Sequence, residues 1–141
     1  MNLLAPLNRF ADRLRYRKHR NLGQLGEDLA HRYIRQLGII VSARNYRPPQ
    51  GGGEIDLVAW DGAVLVFVEV KTRSSGEISA PERAIDPDKI RALRRTALDY
   101  VRRSGAGEPE VRFDVIAIAD GSLEHFRDVF ALSSSPRTLS V

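Results

Sequence analysis

Apolar residues recur at helical spacing in two long segments of the chain. An apolar stripe with a period near 3.6 runs over residues 21 to 37 and predicts a helix that Gly38 ends. Residues 86 to 105 predict a second helix, since Pro87 suits a first turn. A shorter pattern over residues 2 to 18, with Arg opposite the apolar side, predicts a basic amphipathic helix.

Shorter apolar runs predict strands between and after these helices. Three are single strands, at residues 39 to 43, 111 to 119 and 124 to 130. Residues 53 to 73 predict a hairpin, because Asp61-Gly62 is a strong signal for a tight turn. Residues 74 to 85 predict a loop or a short helical turn. The order of elements predicts an α/β fold, with a mixed central β-sheet flanked by helices.

The chain length of 141 residues fits one domain with its own core. We expect this domain to span residues 21 to 131, after a basic N-terminal extension over residues 1 to 20. Residues 132 to 141 read as a flexible tail.

The composition is that of an ordinary globular protein, with 43% hydrophobic and 28% charged residues. The absence of cysteine excludes disulfides and thiolate metal sites. Apolar runs fall short of the roughly 20 residues of a membrane span, and no secretory signal is evident, so we expect a cytoplasmic protein. The net charge is only +4, but basic residues cluster at residues 9 to 20 and 89 to 103. Such clusters attract a phosphate backbone, or form solvated helix faces.

The hairpin register decides where the charges of residues 53 to 73 lie. With Asp61 and Gly62 as the central turn residues, Asp56 lies opposite Phe67 and Glu54 lies opposite Glu69. Because side chains alternate, these acids then share one face with Lys71. The other face is wholly apolar and collects Ile55, Leu57, Ala59, Val64, Val66, Val68 and Val70.

Asp56 and Glu69 are diagonal neighbours in this register, so their carboxylates can converge on one cation. That cation is either a hard divalent ion or the ammonium of Lys71. The competing interpretation is a charge ladder on an exposed sheet face. Glu27 lies at the border of the apolar stripe of the first helix, where its carboxylate can face the fold or simply favour the helix dipole.

Asp56, the 13-residue step to Glu69, and Glu69-Val70-Lys71 resemble the PD-(D/E)xK core of restriction endonucleases and Holliday-junction resolvases. More narrowly, six blocks resemble the YraN-like family of bacterial proteins assigned to that superfamily. In chain order they are GQLGEDLAHRYIRQLG, RNYR, GEIDLVAWDG, FVEVKTR, DPDKIRAL and RFDVIAI. The resemblance covers roughly residues 22 to 130.

This resemblance implies a restriction-endonuclease-like core and a metal-dependent endonuclease that hydrolyses DNA, including structured or branched DNA. It implies that Asp56 and Glu69 hold Mg²⁺ or Mn²⁺, with the Val70 carbonyl as a third ligand and Lys71 as the active-site lysine. Glu27 resembles the extra carboxylate of the resolvase-like branch.

Further residues are accessory candidates. Glu54 and Thr72 lie next to the predicted ligands. Basic residues expected to contact the nucleic-acid backbone are Arg44, Arg47, Arg73, Lys89, Arg91, Arg94 and Arg95. The link over residues 47 to 53 is longer and less basic than is usual in the family. We expect no catalytic role for the histidines. His19 and His125 are expected at the surface or an edge, and His31 is expected to face solvent.

Two alternatives to an active nuclease stay open at this point. One is a nucleic-acid-binding module that keeps the nuclease fold with little or no cleavage. The other is a membrane-surface or protein adaptor that uses the helix of residues 2 to 18. The sequence also leaves open a homodimer.

Overall fold

The structure is a computed structural model that describes residues 22–73 and 86–133. The predicted N-terminal helix, the predicted loop over residues 74 to 85 and most of the predicted tail lie outside these residues. Among the residues described, no helix is both long enough and apolar enough to cross a membrane.

Both long helices form where the apolar periodicity predicts them. Helix α1 spans Leu22–Gln36 and helix α2 spans Pro87–Ser104. The Asp86 side chain caps α2 by accepting a hydrogen bond from the Asp88 backbone N–H. Gly105 ends α2 in the left-handed conformation, with φ 70°, which a residue without Cβ adopts at no steric cost.

Five strands form one mixed sheet in the order β1-β2-β3-β4-β5. Their bounds are Ile40–Tyr46, Ile55–Asp61, Val64–Arg73, Glu110–Ala119 and Ser122–Phe126. Neighbouring strands are antiparallel except β3 and β4, which are parallel and are connected through the segment that contains α2. The predicted α/β class and mixed sheet are therefore confirmed.

Two of the predicted strands differ from the structure by more than one residue at an end. β1 continues to Tyr46 past a bulge between Val41 and Ala43. β5 begins at Ser122 and ends at Phe126, so the prediction of a strand over residues 124 to 130 is wrong at both ends. A tight turn brings Ser122 opposite Ala119, and the chain beyond Phe126 leaves the ladder to bond to β4 through backbone N–H groups.

The hairpin turn lies one residue later than predicted. Asp61 pairs with Val64, so Gly62 and Ala63 are the central residues. Gly62 has φ 59°, which the first central position of the favoured hairpin turns requires. Opposing residues therefore move by two positions along β3, and because the side-chain period is also two, each residue near the turn keeps its predicted face.

The two faces of the sheet carry separate apolar clusters. Helix α1 covers one face, where Ala30 and Ile34 pack with Leu57 and Val68. Helix α2 covers the other, where Leu93 packs with Phe67 and also with Ile55. The prediction that Ile55 lies on the Leu57 face is wrong. Ile55 pairs with Tyr46 of β1 but lies beyond the last β2–β3 pair, Leu57 and Val68, and it packs in the α2 cluster.

Candidate functional site

The candidate site lies where strands β2 and β3 separate, at the end of the hairpin away from its turn. The last paired residues are Leu57 and Val68. Beyond them the side chain of Asp56 bonds to β3, since the Val70 backbone N–H donates to Asp56 Oδ2 at 2.8 Å. This bond replaces a ladder hydrogen bond and fixes the carboxylate against β3. Asp56 is thus held between two strands rather than projecting freely from one.

Three carboxylates from different parts of the chain meet at this point. Glu27 comes from α1, Glu54 from the residue before β2, and Asp56 from β2 itself. One carboxylate oxygen of each lies within 4.8 Å of those of the other two, and all three side chains are half-buried. The structure therefore brings together Glu27, Glu54 and Asp56, and Glu54 is closer to the centre of the site than the sequence indicated.

Two glycines allow this convergence, and each directly precedes a site glutamate. A Cβ on Gly26 would overlap the Thr72 hydroxyl of β3, so the glycine lets α1 approach the sheet and places Glu27 over it. A Cβ on Gly53 would overlap the Thr96 hydroxyl of α2. The repeated Gly-Glu pair was visible in the sequence, but the close contacts that require glycine were not.

Glu69 forms a second group with two lysines. It lies on β3 with its side chain 7% exposed, and it pairs with Lys89 from the first turn of α2. Lys71 is the other partner, with Nζ 3.8 Å from Glu69 Oε1. Glu69 is not part of the group formed by Glu27, Glu54 and Asp56. The two groups are adjacent in the fold, because Asp56 is bonded to the residue that follows Glu69.

The surroundings of Asp56 disfavour the ionised form of its carboxyl. Burial, followed by the charge of Glu69, raises the pKa of the Asp56 carboxyl to about 7, and the charges of Glu27 and Glu54 add to this. The hydrogen bond from Val70 opposes the rise in pKa without cancelling it. A further positive charge beside Asp56 would therefore stabilise the ionised site.

The lysine pKa values shift in opposite directions. Burial, together with the nearby charge of Lys89, lowers the pKa of Lys71. Burial also acts to lower the pKa of Lys89, but the hydrogen bond and charge of Glu69 outweigh it and raise that pKa. Lys89 is accordingly the lysine that is bound more firmly to the carboxylate.

Several predicted DNA contacts are engaged within the protein. Arg47 pairs with Glu54 at 2.7 Å, and Arg44 pairs with Asp28 at 2.7 Å and with Glu27 at 3.7 Å. Arg94 donates to the Ala131 carbonyl and lies over the Phe130 ring. Of the other candidates, Arg91 pairs with Asp88, Arg73 is half-buried, and Arg95 and Thr72 are exposed.

A second polar cluster was missed by the sequence reasoning. The buried carboxylate of Asp114 on β4 accepts hydrogen bonds from Arg112, from the Asp128 backbone N–H and from His125 at 2.8 Å. The Tyr33 hydroxyl of α1 lies 3.3 Å from the other ring nitrogen of His125. Asp114 is a charged residue within the apolar run of β4, and this was the sequence signal that could have indicated the cluster.

The reading of His125 as a surface or edge residue is only half right. Its strand is an edge strand, but its side chain is 5% exposed and lies in the Asp114 cluster. His31 is likewise half-buried rather than facing solvent, and burial lowers its pKa. The burial of His125 arises from its contacts with Tyr33 of α1 and Asp114 of β4, which the local sequence does not show.

The fold and this site define the class as a mixed α/β protein with acids and lysines gathered at one open end of a hairpin. The family model described as "Uncharacterised protein family UPF0102" matches residues 26–118. The chain belongs to this family, which is the YraN-like family that the six sequence blocks resemble.

Individual relatives agree with this assignment. A UPF0102 protein of Solibacter usitatus is 51% identical over 132 residues, which cover 91% of this chain and 100% of the relative. One from Rhodococcus jostii is 44% identical over 77% of this chain and 95% of its own length. One from Geobacter sulfurreducens is 43% identical over 79% of this chain and 90% of its own length.

Proposed function

We propose that the protein is a metal-dependent endonuclease that hydrolyses phosphodiester bonds in DNA, with structured or branched DNA as the substrate class. The observation that carries the proposal is the gathering of Glu27, Glu54 and Asp56 next to the Glu69–Lys71 pair. A restriction-endonuclease-like core, a DNA partner and a cytoplasmic location belong to the same proposal.

The donor set fits a hard divalent cation. All side-chain donors are carboxylates, and oxygen ligands of this kind suit Mg²⁺ and Mn²⁺. The raised pKa of Asp56, caused first by burial and then by the charge of Glu69, supports the fit, because a bound cation would stabilise the ionised carboxylate. Asp56, Glu69, Glu27 and the Val70 carbonyl would hold the ion, with Glu54 as a further carboxylate. When bound, such an ion polarises a phosphate and lowers the pKa of a coordinated water.

The residues of the chain supply orientation and charge balance. The Val70 N–H fixes one oxygen of Asp56, which leaves the other oxygen free to act as a ligand. Lys71 extends from the same strand as Glu69 and keeps its ammonium at the site. This ammonium would stabilise negative charge that develops on the attacked phosphate.

Exposed basic residues of α2 would hold the DNA backbone beside the site. Arg91 and Arg95 are exposed on this helix, and Lys89 connects the helix to Glu69. Arginine contacts with phosphates position a duplex without reading its sequence. We therefore expect binding that weakens with salt and depends little on sequence.

Cleavage assays test the proposal. Purified protein is incubated with plasmid, single-stranded and branched DNA in Mg²⁺ or Mn²⁺, beside Asp56→Ala and Lys71→Ala. We expect metal-dependent cleavage by the wild type and a loss of at least 100-fold in both variants, as removal of a catalytic group typically causes. Asp120→Asn, an exposed change at the turn between β4 and β5, should cut normally. Equal cleavage by all four proteins would refute the assignment.

A second candidate function is DNA binding without cleavage. Three carboxylates of the site already have basic partners, which take the place of a metal ion in balancing their charge. Arg44 pairs with Glu27, Arg47 with Glu54 and Lys89 with Glu69. The same assay separates the two functions. Protein that binds DNA and cuts none of the substrates in either metal is a binding module.

A further inference from the structure

Lys89 pairs with Glu69, one of the carboxylates proposed above to hold a divalent cation. Its ammonium pairs with Glu69, whose side chain is 7% exposed, while the Lys89 side chain is 43% exposed. The lysine extends from the first turn of α2, so it reaches the carboxylate from outside the sheet. Its charged end therefore lies between a buried acid and solvent.

Lys71 and Lys89 share Glu69 but are held differently. Lys71 belongs to the same strand as Glu69, is 20% exposed, and keeps its Nζ 3.8 Å from the carboxylate. Lys89 makes the closer contact with the same oxygen, Oε1, and has the more exposed side chain. Since Lys89 occupies the Glu69 oxygen at close range, a metal ion at that oxygen would have to displace its ammonium. Lys71 lies farther from that oxygen than Lys89 does and extends from the same strand as Glu69.

Resting on the proposed metal-dependent function, we propose that Lys89 is a displaceable counter-ion that couples metal binding to DNA binding. Without metal, Lys89 neutralises Glu69. A divalent ion that binds Glu69 releases the ammonium, which then binds a phosphate of the DNA. Each ligand thereby strengthens the binding of the other, because coupling between two binding equilibria is reciprocal.

Mn²⁺ titration by calorimetry, in the absence of DNA, tests the first half of this proposal. Lys89→Gln removes the competing charge and should bind Mn²⁺ about two- to fivefold more tightly than the wild type, the range that a partly exposed ion pair supports. Lys89→Arg keeps the charge and should bind no more tightly than the wild type. Arg102→Gln removes one exposed positive charge from the far end of the same helix and controls for net charge.

The outcomes of this titration separate the two proposals. If the wild type binds Mn²⁺ and Lys89→Gln binds it no more tightly than Arg102→Gln does, the counter-ion role is wrong and the metal site stands. If neither the wild type nor Lys89→Gln binds Mn²⁺, the proposed function and the counter-ion role both fail.

DNA affinity tests the second half. Fluorescence anisotropy of a labelled branched DNA is measured with and without Ca²⁺, an oxygen-seeking ion that serves as the metal probe. In the wild type, Ca²⁺ should tighten DNA binding. In Lys89→Gln the tightening should shrink by about two- to fivefold. An equal Ca²⁺ effect in the two proteins would overturn the coupling.

Discussion

Asp56→Asn should make the metal-free protein more stable at alkaline pH. The substitution removes a negative charge that burial disfavours and that Glu69, Glu27 and Glu54 repel. It keeps the shape of the side chain and an oxygen that can accept the hydrogen bond from Val70. The expected gain in stability therefore measures the cost of the Asp56 charge in the folded protein, separately from side-chain packing.

The size of the effect follows from the pKa of Asp56. The rise from 3.8 to about 7, at about 1.4 kcal/mol per unit, corresponds to about 4 kcal/mol above pH 7. Because Asp56 is only half-buried, solvent reduces this penalty, and we expect about 2 kcal/mol. The folded state binds the proton more tightly than the unfolded state, so wild-type stability falls as pH rises from about 4 to 7.

Thermal unfolding in EDTA at pH 8 and at pH 4 measures this gain. We expect Asp56→Asn to unfold roughly 5–10 °C above the wild type at pH 8, and within a degree or two of it at pH 4. Asp120→Asn makes the same chemical change at an exposed turn and should shift neither transition. A variant that is no more stable than the wild type at pH 8, or a gain that does not depend on pH, would refute the reasoning.

Two further substitutions test the packing and the second polar cluster. Gly26→Ala should lose about 1–2 kcal/mol in urea unfolding, because its Cβ overlaps the Thr72 hydroxyl, and Gly26→Ala/Thr72→Ala should recover the loss; no recovery would contradict the overlap. Asp114→Asn should lose about 3–5 kcal/mol at pH 7. Burial acts to raise the Asp114 pKa, but hydrogen bonds from His125 and Arg112 outweigh burial and lower that pKa. The ionised Asp114 therefore stabilises the fold above about pH 4, and the stability lost in Asp114→Asn should shrink as the pH falls towards 3. A loss that is unchanged by pH would count against this role.

Much of the fold could be predicted from the sequence because local signals agree with tertiary packing. The Pro87 and Gly105 boundaries of α2 are confirmed, since capping and backbone preferences act within a few residues. The turn was predicted one residue too early. The assignment of residues near the turn to the two faces is still correct, because the resulting register shift is an even number of residues. Ile55 was assigned to the wrong face; it lies beyond the last β2–β3 pair and packs with Leu93 of α2, a contact distant in sequence.

For the candidate site, the sequence indicated which residues lie near one another better than it indicated their arrangement. The sequence indicated Asp56, Glu69 and Lys71, and the structure brings them to one end of the hairpin. Glu54 joins Asp56 through a loop that packs on α2, which is a contact distant in sequence. The pairing of Lys89 with Glu69 likewise depends on how α2 packs on the sheet, so Lys89 could be predicted only as a basic residue of α2.

A crystal soaked in Mn²⁺ tests the central claim most directly, because anomalous scattering locates the ion without reference to activity. The account predicts one Mn²⁺ peak in contact with both Asp56 and Glu69, with Glu27 beside it and the Lys89 ammonium moved away from Glu69. A fully soaked crystal with no peak between Asp56 and Glu69, and with Lys89 still paired with Glu69, would contradict the account.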